Sequence, residues 1–186
     1  RPAWYDEAYF IEPAVSIARG QGIQSHISPD TIGVSPYGLN YPLYTFLLSA
    51  LIGLFGLDFY LIRYAHFILV LCAIGLFLRS VREMGLGLSF RQKLLFLLYA
   101  LLSTSVYQAM SHARPEGLVM LVFAGLLHAL ATARKAAGFL AIAAAAALVP
   151  WCGLHMVIPA AGGLVLFWWL HGMDARKFIA SMAGLG

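Results

Sequence analysis

Two small groups of ionisable residues interrupt an otherwise apolar chain: adjacent Asp6 and Glu7 in "WYDEAYF", and Arg114 and Glu116 in "HARPE". One carboxylate at such a place can serve as a general base, and a second can order a divalent cation or an acceptor group. Neighbouring helical positions project about 100° apart, so Asp6 and Glu7 cannot both face one pocket. The plain alternative is that both acids sit at a helix N-terminus because the dipole favours them there. Glu116 lies just inside an apolar run, where an ionisable group needs a protein or water partner. Arg114 either pairs with it or offers a guanidinium fork to a phosphate, although Pro115 and an acid in the first turn are also ordinary helix starts. His26, His112 and His155 could join Asp6 or Glu116 around a metal, but no HxxH-like spacing marks such a site, and the metal ligands stay unknown. Cys72 and Cys152 form no CxxC pattern and read as small apolar packers.

The elements that must position these groups follow from composition. The 186 residues are 61% hydrophobic and 11% charged, with a mean hydropathy of +0.82. That is more apolar surface than one soluble core hides, so the chain reads as an integral membrane protein. The net charge of +4 does not point to nucleic acid, because the basic residues fall in short clusters between apolar runs, where they act as topology signals. The chain starts at Arg1 rather than Met and ends in "SMAGLG", and it is expected to be a piece of a longer protein.

Hydropathy predicts spans over 59–78, 94–111, 115–133, 137–151 and 156–172, the last two interrupted by Pro150 and Pro159. The sixteen apolar residues of 42–57 are marginal for crossing. Loop 79–93 holds four basic residues and one acid, 134–135 is Arg-Lys, and 174–177 is "DARK". Alternating the five spans from residue 59 puts all three clusters on one side. The opposite side then receives six of the eight acids and four of the twelve basic residues. That balance holds only if 42–57 does not cross, so this run is expected to lie on or re-enter the non-cytoplasmic surface. Residues 6–19 predict an amphipathic helix with Phe10, Ile11, Val15 and Ala18 on its apolar side, bent at Pro13 and stopped by Gly20. Arg63 is expected to reach outward to Asp58. His66 and His128 are expected to be hydrogen-bonded packing residues. The fold class expected is all-α, a polytopic transmembrane helical bundle whose first external loop, 1–58, carries two juxtamembrane helices ahead of the spanning module 59–186.

The order of motifs resembles the polytopic GT-C glycosyltransferases of the family-39-like group, which includes protein mannosyltransferases and the lipid A aminoarabinose transferase. An acidic pair heads the first external loop, "YPLY" precedes a helix along the membrane, an Arg follows early in the next span, and "ARPE" marks the second external turn. The resemblance covers about residues 3–133. Where the aminoarabinose transferase subgroup carries a basic residue after the acidic pair and a Lys before the proline, this chain has Tyr9 or its neighbours and Asn40.

The resemblance implies sugar transfer from a polyprenyl-phosphate donor to a hydroxyl acceptor on the non-cytoplasmic face of a bacterial inner membrane. It implies Asp6 as the base, with Glu7 supporting it and Glu116 as a further catalytic acid, and Arg114, Asn40 and Tyr41 at the donor phosphate. The leaving phosphate departs as an anion, so no strong general acid is required. A divalent metal ion is a possible cofactor. The partners implied are the lipid-linked sugar, membrane lipids and other membrane proteins, but no nucleic acid. The competing reading is a non-catalytic subunit that keeps the fold and packs against partner proteins in a larger complex. A transporter is disfavoured, since no repeated half with matching broken helices is visible.

Overall fold

The computed structural model describes residues 5–24, 41–103, 107, 112–132, 136–171 and 175–185. The described residues are all-helical, without a strand. Among the described residues the helices in chain order are α1 (Tyr5–Ala18), α2 (Pro42–Phe55), α3 (Phe59–Glu83), α4 (Phe90–Leu102), α5 (Glu116–Thr132), α6 (Ala136–Trp151), α7 (Val157–His171) and α8 (Ala175–Leu185), with a 3₁₀ turn at Leu154–Met156.

Local chemistry sets several boundaries. At the end of α1, Gln21 N–H donates to the Ser16 carbonyl at 2.9 Å and Gly20 N–H to Ile17 at 2.9 Å, with Gly20 at φ 75°. These are the two bonds of a Schellman stop, and they need a left-handed residue, which explains the glycine. Asp58 caps α3 by accepting from Tyr60 N–H at 2.8 Å and Leu61 N–H at 3.3 Å. Ser89 and Gln92 form a reciprocal capping box at the head of α4.

Each expected span coincides with a helix, but the lengths differ. Among the described residues only α3, with 25 residues, is long and apolar enough to cross a membrane, at about 37 Å for 1.5 Å per residue. The run expected to span 94–111 is helical over Phe90–Leu102, ends at Ser103, and lies partly outside the described residues. At 14 residues, α2 reaches about 21 Å, short of the roughly 30 Å hydrocarbon core. The "DARK" segment leads into a helix, α8, that hydropathy alone did not predict.

Three apolar clusters hold the helices together. Phe10, Ile11 and Ala14 of α1 pack with Tyr44, Leu48 and Ile52 of α2, Ile62 of α3, Ala113 and Leu118, so one core joins residues on both sides of position 58. Ala18, expected on the buried side of α1, is exposed, and Ala14 at 0% exposure takes that place. Val122, Leu126 and Leu130 of α5 pack with Ile142, Ala146 and Val149 of α6 and with Ala160 and Leu164 of α7. The smallest cluster joins Val70 and Ile74 to Ala100 of α4, and beside it Phe77 and Phe96 stack with ring centroids 5.2 Å apart. Tyr60, Tyr64, Phe67, Ile68 and Leu71 form an exposed stripe along α3 at helical spacing.

Candidate functional site

The site is organised by Glu7, which has no exposed surface. Its Oε2 accepts from Arg63 Nη2 at 2.7 Å and its Oε1 from Arg63 Nε at 3.1 Å. The same Oε1 accepts the backbone N–H of Ala113 at 2.8 Å. One carboxylate in the first turns of α1 therefore ties down the second turn of α3 and the turn that leads into α5. The bidentate fork is the strongest geometry an Arg–carboxylate pair adopts. Both oxygens are engaged and the side chain is sealed from solvent, so Glu7 is placed to orient its neighbours.

Arg63 does not reach Asp58 as expected. The Asp58 carboxylate is used as the cap of its own helix, and Arg63, 18% exposed, turns inward to Glu7 instead. A lone cation in the first turns of an apolar helix was the available signal, because such groups find a protein partner. The partner is 56 positions away in sequence, which is why proximity suggested the wrong acid.

Arg114 and Glu116 pair directly, Nη2 to Oε1 at 2.9 Å, with side chains 25% and 41% exposed. Across from them stands Tyr41, whose hydroxyl lies 3.3 Å from His155 Nε2, with the two rings edge to face at 5.4 Å. Phe10 braces both Tyr41 and Tyr44, with ring centroids 5.6 Å away in each case. Burial raises the Tyr41 phenol above its usual value, Glu116 raises it further, and Arg114 opposes the shift. Tyr44 is fully buried and is pushed well above the usual tyrosine range, by burial first and then by Glu116 and Glu7. Both phenols therefore stay protonated at neutral pH. The Tyr44 hydroxyl and Glu116 Oε2 are buried and have no hydrogen-bond partner among the described residues. A polar ligand group reaching this corner would find a donor and an acceptor already desolvated.

The structure brings Glu7, Arg114, Glu116 and Tyr41 to one end of the bundle, and adds Arg63, Tyr44, His155 and the Ala113 amide. Asp6 lies in the first turn of α1 beside Glu7, but its side chain falls outside the described residues, as do Asn40 and His26. Among the described residues, no three His, Cys, Asp or Glu side chains come together as metal ligands. Cys152 is buried, and burial raises its thiol to about 11, as suits a packing residue. His66 is also buried, with Nδ1 2.7 Å from the Ile62 carbonyl. No protein family, curated protein or solved structure matches the chain.

Proposed function

We propose that the chain belongs to a polytopic membrane glycosyltransferase of the GT-C type, moving a sugar from a polyprenyl-phosphate donor to a hydroxyl acceptor on the non-cytoplasmic face of a bacterial inner membrane. The observation that supports this reading most is the Glu7 carboxylate joined to Arg63 and the Ala113 amide. Three separate pieces of the resemblance, the acidic pair, the Arg early in the span and the "ARPE" turn, meet at that one carboxylate.

In this reading α3 and the apolar helices behind it cross the membrane, and α1 and α2 lie along its surface. The exposed apolar stripe of α3 faces lipid, where large apolar side chains carry no penalty. Asp6 takes the acceptor proton. Glu7 and Arg63 fix the turn that presents Arg114. Arg114 binds the donor phosphate, held in orientation by Glu116, and Tyr41 with His155 donates hydrogen bonds at the rim. Asn40, directly before Tyr41, is assigned to the same phosphate. A leaving phosphate gains charge as the glycosidic bond breaks, and donors already aimed at it stabilise that change.

The non-catalytic reading draws on α4, which leaves Phe90, Leu95, Tyr99 and Leu102 largely exposed, an apolar face that another protein's helix could cover as well as lipid. Incubating membranes that contain the native chain with a radiolabelled polyprenyl-phosphate sugar separates the two. The enzyme reading predicts release of polyprenyl phosphate, lost in Arg114→Gln. Release equal to that of membranes lacking the chain overturns it.

A further inference from the structure

An apolar groove of about 540 Å³ opens between α3, α4, α5 and α7, lined by Phe77, Phe96, Met120, Leu127, Leu130 and Gly163 among others. Its volume falls within the roughly 300–1,000 Å³ usual for small-ligand clefts. Along α5 it runs from Met120 to Leu130, which at 1.5 Å per residue is about 15 Å, or about half of a hydrocarbon core and hence one leaflet. Its lining is almost wholly side-chain hydrocarbon, with Tyr99 and Ser103 the two hydroxyl-bearing residues that form it.

The groove ends in charge. Beyond Phe77 and Phe96, a second cavity of about 670 Å³ is lined by Arg79, Arg82 and Lys93 with Glu83 as its one acid. Phe77 and Leu78 are consecutive, and Lys93 precedes Phe96 by one helical turn, so the stacked pair Phe77–Phe96 stands where the apolar groove meets the basic shelf. Arg79 and Arg82 are three apart on α3 and share a face. None of the three cations is in an ion pair among the described residues. A basic loop alone needs no more than the topology rule. A basic shelf of three cations against one acid, next to a one-leaflet apolar groove, matches a molecule with an anionic head and a hydrocarbon tail.

We propose that the α3–α4 hairpin binds an anionic phospholipid of the leaflet facing the basic loop, its phosphate on Arg79, Arg82 and Lys93 and one acyl chain in the groove. This site lies at the opposite end of α3 from Glu7 and Arg63. It rests on α3 crossing a membrane and not on the transfer reaction, so loss of transfer with lipid binding intact counts against the proposed function alone.

Competition between phosphatidylglycerol and phosphatidylcholine for the purified native chain, read by native mass spectrometry, tests it. Phosphatidylglycerol should be retained in preference, and the preference should fall by roughly fivefold for each cation removed in Arg79→Gln and Arg82→Gln, as expected for about one basic contact each. Gly163→Leu supplies the second arm. A Cβ at Gly163 meets nothing within 4 Å and Gly163 lines the groove, so a leucine there should fill it without a backbone clash, and retention of both lipids should drop while the preference persists and thermal unfolding stays near that of the native chain. Equal retention of the two lipids by the native chain overturns the proposal. So does retention unaffected by Gly163→Leu, which would leave only surface charge, or displacement of the lipid by inorganic phosphate, which would leave only a phosphate site.

Discussion

Replacing Glu7 by Gln removes one charge from the point where α1, α3 and the turn before α5 meet. The amide keeps the size of the side chain and a carbonyl that can still accept from Ala113 N–H, but it leaves Arg63 without its counter-ion. Breaking a buried ion pair costs about 3–5 kcal/mol. Arg63 is 18% exposed and stands in the second turn of its helix, so it can extend toward the surface and recover part of that cost. The expected loss is therefore about 2–3 kcal/mol, comparable to a hydrogen bond involving a charged group. Arg63→Gln should cost more, about 3–5 kcal/mol, because the carboxylate left behind has 0% exposure and no route to water. Glu7→Gln combined with Arg63→Gln should cost less than the sum of the single changes, since neither charge is then stranded. Thermal unfolding in detergent, followed by circular dichroism, gives the three values, with Arg19→Gln at an exposed position as control. At roughly 2–4 °C per kcal/mol for a chain of this size, Glu7→Gln lowers the midpoint by about 4–12 °C. An Arg63→Gln midpoint equal to that of the control, or strict additivity in the double variant, refutes the reasoning.

Three further outcomes follow from packing and charge. Gly184→Val should destabilise by about 1–3 kcal/mol as an overpacked contact, because a Cβ there meets the Ala143 carbonyl and comes within 2.7 Å of Ala146 Cβ; thermal unfolding checks it, with Gly53→Ala, which has open space, as the harmless comparison. Burial raises the Cys152 thiol from an ordinary 9.0 to about 11, so the stability gained from its neutral form is present below pH 9.0 and is lost as pH rises toward about 11; with the exposed Cys72 replaced by Ser, maleimide labelling of Cys152 in the folded chain should speed up only across that window. With the basic loops cytoplasmic, a membrane-impermeant thiol reagent should label Asp30→Cys in intact cells and miss Leu88→Cys, and equal labelling of both contradicts the assigned faces.

The helices were legible where an apolar pattern met its own stop signal, as in α1 with Gly20. They were least legible where tertiary packing carries the element. The helix α8 begins inside the charged "DARK" segment and draws its burial from Phe178 and Ala180 against the cluster of α5, α6 and α7, together with the close approach of Gly184 to α6; its apolar residues gather on one face, a pattern that a search for continuous apolar runs passes over. Ala18 was misplaced on α1 because an amphipathic pattern gives a stripe without its edges, and the neighbour that sets those edges, α2, lies past a long loop. The site shows the same division. Arg114 and Glu116 are two positions apart and their pairing was one of the two readings the sequence offered, whereas the bond from Arg63 to Glu7 joins groups 56 residues apart. Tyr44 closes the "YPLY" motif and His155 stood among the possible metal ligands, but nothing local in either segment marked Tyr44 as a buried phenol of the site or His155 as the partner of Tyr41.

The central claim is that the opening acidic pair divides its labour, Asp6 exchanging the acceptor proton and Glu7 holding the scaffold. Sugar transfer from a polyprenyl-phosphate donor, measured in membranes matched for the amount of folded chain, tests it most directly with Asp6→Asn. Asparagine keeps the size of aspartate, and the dipole interaction lost with the charge in the first turn of α1 is at most about 1 kcal/mol, so the change spares the helix and removes proton acceptance. The account predicts transfer reduced by about 10²–10⁴-fold with no more than a small change in unfolding. Near-normal transfer by Asp6→Asn contradicts it, and leaves both acids as structural features of the α1 N-terminus.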